Sequence, residues 1–393
     1  MSIAGNAIIG LSAGNINYNN VNTLTINAGN GANNYTISST APGTATMLNA
    51  GSGNDSILVG SAAHTLDGIQ GALTLTAGNL VGLNIDDQGS GAARTFTVSG
   101  TGIAWPGGPS VTYSGMGSLV VNGGTGGNTF NVSGSSVATA LGGGSPSGNM
   151  VVGSASPNSW ELTAANAGKL TGAAYAAPVT FTQMQNLTAG PAGDYFLFDA
   201  AADISGNLAG GGTSALDYTP YTTSVVVDLQ QPGAVGLNTG VGGTLNGVRK
   251  VTGGSGAPGT AGLYNLLIGN GGNTLTGGTG RRNILVSGAT ASTLNAGDGE
   301  DLLIGGSTNY DTEAALVSWL QIANYWAGAD PYATRVFNVT GGIGVPLLDA
   351  TTVTGNGGGN AMNGLGALAL IYTDGADVIN GFDPGSQSVA INP

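Results

Sequence analysis

Residues Met47 to Val59 read MLNAGSGNDSILV, and the pattern of this segment is repeated along the chain. Its two ends are short apolar runs, and its middle is a turn built from Gly, Ser and Asn. Short apolar runs on either side of such a turn are typical of β-strands. The stretch therefore predicts two short strands joined by a tight turn. Units of the same kind recur at Leu141 to Val152, Leu266 to Thr276, Asn283 to Val286 and Leu294 to Ile304.

A longer frame recurs three times, beginning at Tyr18, Tyr113 and Phe181, and in each copy the aromatic residue precedes a Leu by six positions. Equivalent turn residues are 22 positions apart from Gly29 to Gly51 and 18 apart from Asn283 to Asp301. Such periods suit one coil of a solenoid, because stacked coils bury an apolar face that a single coil cannot. We expect an all-β protein, a right-handed parallel β-solenoid whose turn Asn residues hydrogen-bond one coil away.

The composition excludes several classes of protein. Of 393 residues, 74 are Gly and only 7% are charged, and the net charge is −13. Seven Lys and Arg residues cannot form a basic surface, so we expect no nucleic-acid partner. A hydrophobic content of 41% argues against disorder, and the apolar runs are too short for a membrane span. The chain has no Cys, so we expect backbone pairing and packing to supply its stability.

One segment follows a helical pattern instead. Asp311 to Trp326 reads DTEAALVSWLQIANYW, with apolar side chains at helical spacing and Asp311 or Thr312 as the N-cap. This predicts one amphipathic helix over residues 312–326 that covers exposed strand edges. Tyr332 to Val339 is a candidate for a second, short helix. We therefore expect β-solenoid coils over 1–310, a helical insertion or cap over 311–340, and C-terminal strands over 341–393.

Two stretches resemble a known repeat. NAGSGNDSILVG, from Asn49 to Gly60, and NAGDGEDLLIGG, from Asn295 to Gly306, are similar to the haemolysin-type calcium-binding (RTX-like) repeat G-G-x-G-x-D-x-[apolar]-x. Other segments, such as Val111 to Gly134, resemble modules of very large bacterial surface and secreted proteins. The part from Leu302 onward is similar to large repeat proteins of planctomycetes. This resemblance implies a parallel β-solenoid, an extracellular or cell-surface location and an adhesive or structural role, with no enzyme activity.

The repeat's Asp position is the candidate metal site. Calcium prefers six to eight oxygen ligands, including carboxylates from neighbouring turns. The candidate ligands are Asp55, Asp298, Glu300 and Asp301, and Ca²⁺ is therefore possible although no cofactor is required. In other copies the position is Asn33, Asn128, Asn273 or Asn283, and Arg281 and Arg282 would repel a cation. We expect degenerate repeats held together by amide ladders.

Candidate catalytic groups are few. Paired carboxylates, as polysaccharide-acting enzymes need, occur only at Gly-rich turns, where Asp is favoured for backbone reasons. His64 has no metal-ligand spacing and no nucleophile motif beside it, so we expect a surface residue. The paired carboxylates at these turns are Asp86 and Asp87 near Arg94, Asp199 with Asp203, and Asp374 with Asp377.

The ends of the chain bear on association. Met1 to Leu11 has no charged side chain and no Pro, and it does not read as a secretory signal. An open strand edge recruits other strands unless charge, Pro or a covering element blocks it. We expect the chain to associate with itself into a filament or surface matrix, with surface glycans as a further possible partner. The alternatives are a monomeric calcium-stabilised adhesin module and, third, a polysaccharide-acting β-helix enzyme.

Overall fold

The computed structural model describes residues 1–145, 148–256 and 262–392. It is mostly β, with 43% of residues in strands, long parallel sheets and two α-helices, which confirms the all-β class. The chain divides into two compact units. Unit 1 comprises Met1–Trp160 and Asn166–Ala192, and unit 2 comprises Glu161–Ala165 and the residues from Gly193 onward.

The strands of unit 1 are short, apart from two. They are β1 (Ser2–Ala4), β2 (Ala7–Ile9), β3 (Ile16–Asn17), β4 (Thr23–Asn27), β5 (Asn34–Ile37), β6 (Ala45–Asn49), β7 (Ser56–Val59), β8 (Leu73–Asp86), β9 (Thr95–Val98), β10 (Gly102–Ala104), β11 (Val111–Asn122), β12 (Thr129–Val132), β13 (Ala138–Gly142), β14 (Met150–Val152), β16 (Ala167–Gly172), β17 (Val179–Thr182) and β18 (Asn186–Thr188). The two longer strands, β8 and β11, pair with each other along two stretches separated by register shifts. Strand β15 (Asn158–Ala164) has residues in both units.

Parallel pairing between successive repeats dominates unit 1. Thr23 of β4 pairs with Ala45 of β6, and Asn34 of β5 pairs with Ser56 of β7. Both registers are 22 residues, which confirms the period read from Gly29 and Gly51. The ladders continue as β6–β8–β11, as β7–β8–β11–β13–β17 and as β9–β12–β14–β18. Part of the turn in the predicted unit Leu141 to Val152 lies outside the described residues.

The first strands of unit 1 depart from the parallel pattern. β1 turns back at Gly5, where φ is +57°, and pairs antiparallel with β2, which pairs antiparallel with β3. β1 also pairs in parallel with β5, with Ser2 opposite Thr36. The expectation of an open edge at Met1 to Leu11 is therefore wrong for the β5 ladder, because this small meander covers it. In the described part of the chain β4 pairs only with β6, so its other edge is open.

Unit 2 is built from two parallel ladders and a helical layer. Its strands are β19 (Tyr195–Phe198), β20 (Leu208–Asp217), β21 (Val225–Asp228), β22 (Leu245–Thr252), β23 (Tyr264–Ile268), β24 (Thr274–Thr276), β25 (Arg282–Val286), β26 (Thr293–Asn295), β27 (Glu300–Ile304), β28 (Gly306–Thr308), β29 (Val353–Gly355), β30 (Ala361–Asn363), β31 (Leu368–Thr373), β32 (Val378–Asn380) and β33 (Gln387–Ala390).

Each of the two ladders of unit 2 is named after its last strand. The β32 ladder runs β20–β22–β24–β26–β30–β32, and the β33 ladder runs β21–β23–β25–β27–β31–β33. Ile284 of β25 pairs with Leu302 of β27, which is the predicted register of 18 residues. Strands β23, β25 and β27 are buried along almost their whole length. The last three residues of each strand are all apolar, as expected where both faces of a sheet are buried.

The helical layer covers one face of the β33 ladder. A 3₁₀ helix at Glu313–Ala315 precedes α1 (Leu316–Trp326), and α2 (Tyr332–Gly341) follows. Trp319, Ile322 and Trp326 are fully buried, and they belong to one apolar cluster with the strand residues Leu266, Ile284 and Leu302. The α-helix begins later than residue 312, because Asp311 bonds to Thr308 and the side chain of Thr312 caps nothing.

None of the helices in the described residues is both long enough and apolar enough to cross a membrane. The two helices lie within unit 2, inserted between β28 and β29, which pair antiparallel with each other. The division into 1–310, 311–340 and 341–393 as separate segments stays a prediction.

Candidate functional site

Buried side-chain ladders join the turns of successive strands. In unit 2, Asn265 donates from Nδ2 to Oδ1 of Asn283 at 2.7 Å. Asn283 in turn donates from its backbone N and its Nδ2 to Oδ1 of Asp301, at 2.8 and 2.9 Å. All three residues are fully buried. The predicted stacking of Asp301 on Asn283 is confirmed, and the ladder ends in a carboxylate that can only accept.

The same arrangement recurs elsewhere with other residues. A turn residue donates its backbone N–H to the side-chain oxygen of the equivalent residue in the next repeat. Such bonds run from Asn128 to Asn149 at 2.8 Å, from Asn149 to Gln185 at 2.9 Å, from Ser292 to Asn360 at 2.8 Å and from Asn360 to Asp377 at 2.8 Å. These bonds satisfy turn amides that have no strand partner, which is why the turns favour Asn and Asp.

The terminal carboxylate of the Asn265–Asn283–Asp301 ladder is strongly perturbed. Burial raises the pKa of Asp301 to about 7, although Asn283 and the N–H of Gly297 donate to it and favour the charged form. The nearby Asp298 carboxylate raises the pKa further. Burial also raises the pKa of Asp228 to about 6. Both groups hold a proton more readily in the folded chain than an exposed Asp does.

The predicted metal ligands have protein partners. Asp55 is buried and accepts two bonds on Oδ1 from Asn33, at 2.8 and 3.2 Å, while its Oδ2 has no hydrogen-bond donor. Asp298 accepts the N–H of Gly280 at 2.5 Å. Within the described ranges, no three His or acidic side chains converge on a point that could hold a metal ion. The calcium site stays a prediction, and the structure gives these carboxylates a role in joining turns.

Glu300, the fourth predicted ligand, neutralises two arginines instead. It forms ion pairs with Arg282, at 3.1 Å, and with the buried Arg335 of α2. Arg335 also donates to the carbonyl O of Trp326 at 2.8 Å, and its guanidinium lies 4.9 Å from the centre of the Trp326 ring. Desolvation and the neighbouring Arg282 lower the pKa of Arg335 to about 10. This clamp ties the helical layer to β25 and β27, and no sequence motif indicates the role of Arg335.

Arg281 has a different environment from Arg282. Its guanidinium is buried and donates to the carbonyl oxygens of Tyr221, at 2.5 Å, and Ser255, at 2.9 Å, as well as to that of Thr223. Burial lowers its pKa. Arg281 therefore serves the packing of unit 2, and Arg282, whose side chain is 22% exposed, is paired with Glu300.

One polar cluster in unit 1 contains the chain's single His. His64 Nδ1 lies 2.6 Å from Oδ2 of the buried Asp86, and the His64 side chain is 59% exposed. Beside it, Nε of Arg94 lies 2.6 Å from Oδ2 of Asp87, and Arg94 also contacts Asp67. Burial raises the pKa of Asp87. The surface position expected for His64 is correct, but its carboxylate partner, 22 residues away, was not foreseen.

A second, outward-facing amide row follows the β32 ladder. Asn380 donates from Nδ2 to Oδ1 of Asn363 at 3.3 Å, Asn363 donates to Asn295 at 2.9 Å, and Asn295 donates to Oγ1 of Thr276 at 3.2 Å. Every bond points from the later strand to the earlier one. A groove of about 560 Å³ runs along this row, lined also by Leu365, Gly364 and Gly381.

The last strand of this ladder exposes apolar surface. In the part of the chain that the structure describes, β32 pairs only with β30. Ile379 occupies the position that Leu275, Leu294 and Met362 have in the preceding strands. The side chains of those three residues are fully buried, whereas Ile379 is 41% exposed. Val378 is 54% exposed, and Leu365 is 85% exposed. The edge of β32 thus exposes unpaired backbone groups together with the side chain of Ile379, which lies at a core position.

Comparisons with known proteins give no match. No family model fits the chain, and neither a curated protein nor a solved structure is detectably similar to it. The RTX-like resemblance therefore stays a prediction.

Proposed function

We propose that this chain is an extracellular structural protein, a right-handed parallel β-solenoid that associates end to end into a filament or surface matrix. Two features support the solenoid, and a general rule supports its right-handedness. The parallel registers of 18 and 22 residues match the sequence repeats. The turns are joined by side-chain ladders between successive repeats. Crossovers between parallel strands are right-handed in nearly all proteins.

One observation carries the proposal of association. Ile379 is a core residue by its position in the ladder, and it is left 41% exposed on a strand with one neighbour. An exposed, unpaired strand edge is a template for another strand, and natural proteins normally block it with charge, Pro or a covering element. β32 has none of these within its three residues, Val378 to Asn380.

The low charge of the chain favours association as well. With 7% charged residues, little electrostatic repulsion opposes close approach of two copies. A structural role also agrees with a chain whose polar turn residues are used in bonds between repeats. Surface glycans, the other expected partner, stay a prediction.

Sedimentation velocity of the purified chain over a wide range of concentration tests this function, with electron microscopy of the concentrated sample. We expect species that grow with concentration and elongated particles in the images. A single sedimenting species of 38.1 kDa at every concentration would refute the proposed function.

A further inference from the structure

We propose that the partner of the β32 edge is the β4 edge of a second copy of this chain, joined in parallel with Asn380 opposite Asn27. This inference rests on the proposed function and makes it specific. Three independent features of the two edges agree with this register: their sequences, the direction of their amide rows and the phase of their free backbone groups.

The two strands end in the same pattern. β4 ends in Thr25-Ile26-Asn27, and β32 reads Val378-Ile379-Asn380. In each, an apolar residue that points to the core precedes an Asn that points outward. Neighbouring strands of both units share the pattern, as in MLN at 47–49, TLN at 293–295 and AMN at 361–363. Ile26 of a second copy would cover Ile379 as Ile379 itself covers Met362.

The outward amide rows have the same direction in both units. Asn49 donates from Nδ2 to Oδ1 of Asn27, just as Asn380 donates to Asn363. At the β4 edge, Asn27 therefore presents its amide NH₂ group to an incoming strand. At the β32 edge, Asn380 presents its carbonyl oxygen. Pairing β32 with β4 of a second copy lets Asn27 donate to Asn380, so the row continues across the junction without a reversal.

The free backbone groups are also in phase. Alternate residues of a strand in a parallel sheet direct both backbone groups to the same neighbour. Bonds from Ala45 to Asn22 and from Ala28 to Asn49 show that even-numbered residues of β4 face β6, so Thr25 and Asn27 face away from it. Bonds from Val378 to Asn360 and from Gly364 to Asn380 show that these two β32 residues face β30, so Ile379 faces away.

In the proposed register, Ile379 lies between Thr25 and Asn27 of the second copy. Its N–H then donates to the carbonyl O of Thr25, and its carbonyl O accepts the N–H of Asn27. This is the pattern already formed one step earlier, where Met362 pairs with Ile379 between Val378 and Asn380. A shift by one residue would break both the backbone pattern and the amide row.

The charge distribution selects this contact over a contact between two β32 edges. Residues 1–54 contain no Asp, Glu, Lys or Arg. Asp374, Asp377 and Asp383 flank β32 in the sequence, and no Lys or Arg lies between Arg335 and Pro393. Two β32 edges would bring like charges together, whereas β4 brings none. A contact between two different surfaces leaves one free edge of each kind at the ends of the assembly, so it can propagate into a filament.

Disulfide trapping tests the register, because the chain has no Cys of its own. Thr25 and Val378 are exposed and would be opposite each other. Parallel neighbours lie about 4.8 Å apart, within the Cα separation of roughly 4.4–6.8 Å that a disulfide accepts. We expect the T25C/V378C variant, on mild oxidation, to give a reducible series of dimer, trimer and larger species. The matched T23C/V378C variant, two residues out of register, should give far less, and each single variant should stop at the dimer.

Two outcomes separate this inference from the proposed function. If the unmodified chain assembles but T25C/V378C gives no more polymer than T23C/V378C, this contact is refuted and end-to-end association stands. If the unmodified chain stays monomeric at all concentrations, both fail.

A proline variant supplies a second readout. The Thr25 N–H faces away from β6, so T25P should keep the β-sheet circular dichroism and abolish assembly, while T25A should assemble like the unmodified chain. Assembly of a folded T25P variant would overturn the inference.

Discussion

Replacing Asp301 with Asn should make the chain more stable at neutral and alkaline pH. Asp301 is fully buried, and its pKa is raised from 3.8 to about 7. Between these values the folded chain holds a proton that the unfolded chain releases. The contribution of this proton to the unfolding free energy is therefore fully present below about pH 4 and is lost as the pH rises through about 7.

The size of the effect follows from the same values. A rise of the Asp301 pKa from 3.8 to about 7 corresponds to about 4 kcal/mol of unfolding free energy between about pH 4 and about pH 8. Asn at this position repeats the neutral Asn283 of the preceding repeat, and its Oδ1 still accepts the Asn283 N–H. The oxygen that accepts the Gly297 N–H is replaced by an NH₂ group, just as it becomes an O–H group when Asp301 is protonated in the parent chain. We expect D301N to match the parent chain near pH 4 and to exceed it by up to about 4 kcal/mol near pH 8.

Urea unfolding of both chains, followed by circular dichroism and tryptophan fluorescence at a series of pH values, measures this difference. Some pH dependence should remain in D301N, because the pKa of Asp228, raised to about 6, acts in the same direction. An identical pH slope in the two chains would rule out the Asp301 proton as the cause of the pH dependence, as would a variant that is less stable than the parent near pH 8.

Three further outcomes are expected. Glu300→Gln should lower the unfolding free energy by about 2–4 kcal/mol, because Arg282 and Arg335 lose their shared carboxylate. Limited proteolysis within residues 313–341 should also become faster, and unchanged cleavage there would count against the clamp. Gly278→Ala should cost at least about 3 kcal/mol, because its Cβ would overlap the carbonyl O of Gly254, whereas Gly29→Ala, with no atom within 4 Å, should be nearly neutral in the same urea experiment. Adding CaCl₂ or EDTA should leave the thermal midpoint unchanged, because the carboxylates of Asp298, Glu300 and Asp301 already have protein partners; a rise with calcium would instead establish a site.

The strand repeats could be predicted from the sequence because they depend on local pattern and spacing. The 18-residue period placed Asp301 on Asn283, and the 22-residue period placed β6 on β4. Each required only that equivalent positions stack. The helical stripe around Trp319 and Trp326 was visible for the same reason, since its apolar spacing is local.

The remaining features depend on contacts between distant segments. Arg335 reaches Glu300 across 35 residues, and no sequence spacing indicates that a helix and a strand meet there. The reversal of β1 at Gly5 depends on a single turn in a segment that otherwise reads like the others. His64 contacts Asp86 because the two residues lie 22 positions apart, which is one repeat. That period is visible in the apolar and turn residues, and the same spacing would have indicated this pair.

Hydrogen–deuterium exchange at increasing protein concentration reports on the pairing of β32 with β4 itself, because it reads the backbone bonds of the two edges. We expect peptides covering residues 22–28 and 376–382 to exchange rapidly in dilute protein and to become protected together as the concentration rises, while the buried strands β23 and β25 are protected throughout. Protection at only one of the two edges, or none at either while the protein assembles, would contradict this pairing.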